Sequence, residues 1–174
     1  MGRVNCSEFI EARPEQVWAL LTDVIRLPEW AYQEGRFPHL VEGKYGSEQK
    51  EGVGTTWIGI SADGQTATQK VTAWDAPHKL SYELLAMEHA PLQMSQTNTF
   101  ELQPEGEGTQ LTWSVDWQLL RRFSLGALLL RFSAGSAFEE MMAGSLEKLK
   151  QLVETETATG DLPASEVTAE APTD

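Results

Sequence analysis

At 174 residues, with 41% apolar content and six Trp, the chain is long enough for one domain with a core of ordinary size, and its single Cys6 excludes an internal disulfide and fits a reducing compartment. A formal net charge of -13, from 26 acids against 13 Lys and Arg, excludes a nucleic-acid binder, which must present a clustered basic face to the phosphates. No apolar run approaches the roughly 20 residues of a membrane span, and the N-terminus has neither a basic lead nor an apolar signal core, so a soluble cytoplasmic protein is expected.

The chain opens on a strand that ends near Ile10 and carries Cys6, read as a buried or edge thiol rather than a nucleophile. Pro14, preset for a first helical turn, hands over to a helix whose Val17, Leu20, Leu21 and Val24 form one apolar stripe. Asp23 is expected to cap a second, shorter helix bearing Leu27 and Trp30. Beyond it, Ala62-Asp63-Gly64-Gln65, Asp75-Ala76-Pro77-His78 and Pro104-Glu105-Gly106-Glu107-Gly108 punctuate runs of alternating character, the pattern of an antiparallel meander.

Alternation assigns faces within that meander. Leu111, Trp113, Val115, Trp117 and Leu119 share the inner side of the last strand, and Phe100 and Leu102 fix an inward parity that carries Met94, Gln96 and Asn98 with them. Two amides therefore stand where apolar side chains are expected. A buried amide costs a few kcal/mol unless it is hydrogen-bonded, so Gln96 and Asn98 need partners: each other, a water, a tyrosine or a ligand. The same parity turns Tyr82 inward with Leu80 and Leu84.

The last element is an amphipathic helix. Phe138, Met142, Leu146, Leu149 and Val153 follow helical steps, widened by Met141, Ser145 and Leu152, and Ser136 with Glu139 reads as a capping box that starts the helix near residue 136 and carries it to 154. Residues 119–132, apolar with Arg121, Arg122 and Arg131, are read as packing that leads into this helix, with contact to a membrane surface as the alternative. Residues 155–174 hold five acids, no Lys or Arg and almost no large apolar side chain, the composition of a disordered acidic tail following a domain of residues 1–154.

The order of these pieces carries a family likeness. The strand-to-helix stretch with Trp30 beyond it, Gly52-Val53-Gly54-Thr55-Thr56, the corner from Trp74 through Pro77 to Glu83, and Phe100-Glu101-Leu102 running through Gly106 and Gly108-Thr109 to Leu111 resemble the START/Bet v 1-like (SRPBCC) superfamily, closest to its polyketide cyclase/dehydrase and lipid-transport branch. The resemblance covers roughly residues 3–154. It implies an α+β helix-grip fold: a curved antiparallel sheet of about seven strands wrapped around a long C-terminal helix, two short helices after the first strand, and a cavity between sheet and helix. It also implies that Thr55, Trp57 and Gly59 point inward, against the competing Ile58 and Ile60.

Catalytic signatures are sparse. His39, His78 and His89 stand far apart with no partner at ligand spacing, so no metal or other cofactor is expected. Gly52-Val53-Gly54 precedes a strand and cannot hold phosphate at a helix N-terminus. Glu83, Glu101, Asp116, Glu139 and Glu140 fall on outward positions. The expected function is binding, or transport, of a small hydrophobic or aromatic molecule in a cavity lined by Trp57, Tyr82, Gln96, Asn98, Phe100, Trp113, Trp117, Phe138, Met141 and Met142. By resemblance, the alternatives are a polyketide cyclase or dehydratase using Tyr82, Gln96 and Asn98 to polarise a carbonyl, and an accessory protein acting through quinone, membrane or protein contacts.

Overall fold

A computed structural model describes residues 1–32, 37–90, 93–120 and 125–160, with the backbone alone for 125–133. The elements run β1 (Gly2–Ile10), α1 (Pro14–Thr22), α2 (Leu27–Trp30), β2 (Leu40–Tyr45), β3 (Thr56–Ser61), β4 (Thr66–Asp75), β5 (Lys79–Glu88), β6 (Met94–Glu105), β7 (Gly108–Leu119) and α3 (Leu125–Thr159). The seven strands form one antiparallel sheet in the order β1-β7-β6-β5-β4-β3-β2, so β1 returns beside β7 and the meander occupies the rest. This is the helix-grip fold.

The two short helices form as the local sequence dictates, with one change. Pro14 begins α1, and the Gln16 side-chain oxygen accepts from the Arg13 amide at 3.0 Å, satisfying one of the donors that a helix start leaves open. Asp23 does not cap α2: its carboxylate accepts from the Ile25 amide at 3.1 Å, a turn inside the linker, and Arg26 stands at the cap position. Short polar side chains at such corners serve either geometry, and here Asp23 ends α1 and lies three residues before the cap position of α2. Gly43 lets this corner sit on β2, because a Cβ there would collide with the Val24 carbonyl.

The C-terminal helix is longer than its spacing predicts. It spans 35 residues and runs without a break through Gly135 and Ser136, so the start expected near 136 is wrong. Leu, Ala and Phe before that point are adequate helix formers, and one internal Gly costs only about 1 kcal/mol, too little to end a helix. At the other end α3 passes residue 154, the expected limit of the domain, and continues to Thr159. Arg26 holds that last turn, donating from Nη1 to a Glu156 carboxylate oxygen at 2.9 Å while its Nε donates to Glu29 at 3.1 Å. Residues 161–174 of the expected tail, and 121–124 of the Arg-bearing segment, lie outside the described residues.

Packing follows the faces read from alternation. Ile10, Val71, Leu80, Phe100, Leu111, Trp113 and Val115 on the sheet are fully buried against Phe138, Met141, Met142, Leu149 and Val153 of α3. Trp57 and Thr55 are buried on β3 and its lead-in, whereas Ile58 and Ile60 are only half-buried, which settles the competition for that face. Cys6 is half-buried on the edge strand beside the Glu139 carbonyl, and burial first, then the Glu139 charge, pushes its thiol pKa up. It is correspondingly a poor nucleophile.

Candidate functional site

Strand pairing arranges the concave face in transverse rows. One row runs Val71–Tyr82–Asn98–Val115 across β4 to β7, and the next runs Trp57–Gln69–Leu84 across β3 to β5, with Gln96 and Trp117 paired on β6 and β7. Farther toward the same end, Gly59 faces Ala67 across β3 and β4. These are small side chains, and the space they leave becomes a cavity of about 100 Å³. Its described lining includes Leu27, Tyr32, Phe37, Leu40, Gly59, Ala67, Tyr82, Met87, Met94, Gln96 and Phe138.

The residues expected from the sequence divide here. Tyr82, Gln96 and Phe138 line the cavity. Trp57, Asn98, Phe100, Trp113, Trp117, Met141 and Met142 are buried in the core around or below it. The aromatic rings are continuous: Trp57 meets Tyr82 at 5.3 Å between centroids, Phe100 stacks on Trp113 at 4.9 Å, and Trp117 stacks on Phe138 at 5.7 Å. Seven of the ten therefore shape the site from behind its wall.

Two aromatic members had no periodic signal. Tyr32 and Phe37 lie outside every strand and helix, yet Phe37 packs on Phe138 at 4.9 Å and Tyr32 reaches Trp113 at 6.4 Å. Tyr32 has φ 55°, a left-handed conformation uncommon for a non-glycine residue, and its amide donates to the Ser145 hydroxyl of α3 at 3.1 Å. The helix thus fixes the turn that carries the ring into the cavity.

Gln96, Tyr32 and Tyr82 bring polar groups to the wall, beside Gln65 and Gln69, and Asn98 is buried behind Gln96. The Asn98 side-chain oxygen accepts from Trp113 Nε1 at 3.0 Å and from Gln96 Nε2 at 3.3 Å, while the Gln96 amide also bonds the Tyr32 hydroxyl. Burial raises the Tyr82 pKa well above its usual value, and the nearby Tyr32 phenol adds to the rise. Tyr32 is raised too, by burial, with the Gln96 hydrogen bond opposing. Both phenols stay protonated near neutrality and are not bases there. Among the described lining residues there is no Asp, Glu, His, Lys or Arg.

A second, wider furrow of about 600 Å³ lies on the outside, between β1 and α3, bordered by Cys6, Glu8, Glu140, Glu147 and Lys150. Lys150 Nζ spans it to Glu8 at 2.9 Å. It is bordered by charged side chains, whereas the smaller cavity between the sheet and α3 is lined mainly by apolar ones, the character of a ligand site. Among the described residues no group of three or more His, Cys, Asp or Glu could hold a metal ion.

The profile of known families decides the kinship. The family model for polyketide cyclase/dehydrase and lipid transport matches residues 1–154. The chain belongs to that family. Its fold recurs in the Zhui aromatase/cyclase from Streptomyces sp. R1128, with a TM-score of 0.71 at 18% identity over 90% of this chain and 95% of that one. TTHA0849 from Thermus thermophilus superposes at 0.69 with 19% identity over 90% and 99%, and MLL2253 from Mesorhizobium loti at 0.63 with 22% identity over 88% and 98%. No curated protein sequence matches the chain. Membership in this polyketide cyclase/dehydrase and lipid-transport family supports a ligand-binding or cyclase-like role. No helix among the described residues is long and apolar enough to cross a membrane.

Proposed function

We propose that this family member binds a small hydrophobic or aromatic molecule in the cavity between the sheet and α3. The observation that carries the reading is the cavity wall itself: aromatic rings and two methionines, Met87 and Met94, around a few uncharged polar groups. At about 100 Å³ the space is well below that of a pocket for a large ligand, which is roughly 300–1,000 Å³. The natural ligand is accordingly compact, or enters by displacing the methionines.

A second reading, cyclisation or dehydration of a polyketide-like substrate, rests on the family description and on Tyr82 and Gln96, which would polarise a carbonyl. No base stands among the described lining residues: the lining phenols are held neutral, and general acid–base work needs a group whose pKa lies near the working pH. Binding is the better-supported reading.

Native mass spectrometry of the freshly purified protein, beside its denatured extract, tests it. A reproducible extra mass that Ala67→Leu removes is the expected result, because the added methyls fill the floor between β3 and β4. Bare protein that also fails to take up small aromatic probes overturns the reading.

A further inference from the structure

The five methionines of the chain stand in three environments. Met141 and Met142 of α3 have no exposed surface, Met1 is exposed, and Met87 and Met94 are half-buried in the cavity wall. The last two therefore border solvent and the apolar space at once. The remaining sulfur, the Cys6 thiol, lies on the outer furrow, and its raised pKa keeps it protonated near neutrality.

Met87 reaches the cavity through a break in strand alternation. Tyr82 and Leu84 of β5 line the cavity, so plain alternation would bring Ala86 inward next and turn Met87 outward. Pairing shows otherwise. Gln69 stands opposite Leu84, but its neighbour Thr68 stands opposite Ala86, which leaves Leu85 as an extra residue on β5. A bulge of this kind re-aims the side chains beyond it. Leu85 and Ala86 are exposed, while Met87 pairs with the inward Ala67 and joins the lining. On β6, Met94 comes to the same wall by ordinary parity with Gln96. The side-chain amide of Gln93, its neighbour, donates to the Met87 carbonyl at 3.4 Å, which holds the two strand ends together.

We propose that Met87 and Met94 are a modification site, at which hydrogen peroxide forms methionine sulfoxides that close the cavity to apolar ligands. In each step the thioether sulfur attacks the peroxide O–O bond. An S–O bond forms as the O–O bond breaks, sulfur gives up two electrons, and the second peroxide oxygen leaves in water. The flexible apolar side chain becomes a polar one. An apolar ligand has no proton to offer the new S–O acceptor, and a polar group covered without a hydrogen bond is costly. The inference rests on the binding reading above and adds a redox control to it.

Isothermal calorimetry with toluene as the probe would compare the protein before and after peroxide, with the oxidised sulfurs mapped by peptide mass spectrometry. Met87 and Met94 should oxidise before Met141 and Met142, and the toluene affinity of the treated protein should fall by at least about 10-fold. Enzymatic reduction of the sulfoxides should restore it. When Met87→Leu and Met94→Leu are combined, apolar volume is kept and the sulfurs are gone, so affinity after peroxide should equal affinity before it, whatever that starting value is. The single variants, each keeping one of the two sulfurs, cover a failure of the double one to fold and should lose less affinity on treatment than wild type. Toluene binding that survives oxidation of both methionines, a loss of equal size in the variants, or Met87 and Met94 left intact when Met1 is converted overturns this inference and leaves the binding reading standing. An untreated protein that takes up neither toluene nor other small aromatic probes overturns both.

Discussion

The two ends of the concave face are built from the same alternating strands and come out differently. At the end beneath Trp30, Phe100 and Trp113 stack on each other, and each of these three rings finds another ring as neighbour. At the other end Gly59, Ser61 and Ala67 stand where large side chains would close the space, and polar groups appear on the wall. Both ends obey one rule of inward parity. Side-chain volume, rather than fold, decides whether the grip of sheet on helix is a dry core or a cavity.

The contrast can be broken most strongly from the packed end. Phe100→Ala removes a ring with no exposed surface that touches Trp30, Tyr82 and Trp113, and should cost about 3–5 kcal/mol in denaturant unfolding. A loss below about 1 kcal/mol would mean that this end also has room to collapse.

Alkaline pH probes both ends at once. All three tyrosines, Tyr32, Tyr45 and Tyr82, have raised pKa values, with burial as the leading cause in each. The unfolded chain therefore releases phenol protons first. Stability is undiminished below about pH 10 and falls above it, by up to roughly 1.4 kcal/mol per pH unit for each of Tyr32 and Tyr82 while still protonated in the fold, with the partly exposed Tyr45 contributing less because solvent screens it. Phenolate absorbance should lag behind that of the denatured chain and rise together with loss of near-ultraviolet dichroism. Ordinary titration of a still-folded protein would contradict the burial of these phenols.

At the cavity end, Ala67→Leu should weaken binding of a small aromatic probe by at least about 10-fold, or 1.4 kcal/mol, with the midpoint of unfolding nearly unchanged. Undiminished binding would place the ligand elsewhere. The smallest effect is expected far from both ends. Arg26→Ala frees Glu156 from its bidentate partner and should cost about 1 kcal/mol, because the pair is partly solvated. Hydrogen exchange should quicken at residues 155–159 while the cavity keeps its ligand affinity; unchanged exchange would show that the ion pair does not hold the helix end.

Much of the arrangement is legible in the chain, because the information is periodic or local. Period-two alternation places Phe100, Trp113, Trp117 and Tyr82 on the inner face, turn residues mark the hairpins, and Pro14 marks the start of α1. Parity also exposes Gln96 and Asn98 as amides on an apolar side. The helix start is misread because Ser136 and Glu139 match a capping box wherever they occur. A side-chain pattern of that kind cannot say whether the chain upstream is already helical.

Tertiary structure alone decided the rest. Strand alternation gives the face a residue occupies, but not the volume across from it, so ten inward residues look equally like cavity wall until the pairing sets Gly59 opposite Ala67. Tyr32 and Phe37 reach the cavity from outside every strand and helix, and Tyr32 is fixed by Ser145, 113 residues away in sequence. The bonding of the buried amide is a property of space as well: the Asn98 oxygen meets Trp113 Nε1 across the pair of β6 and β7. Sequence determines which groups enter the interior, and packing determines which of them find a partner there.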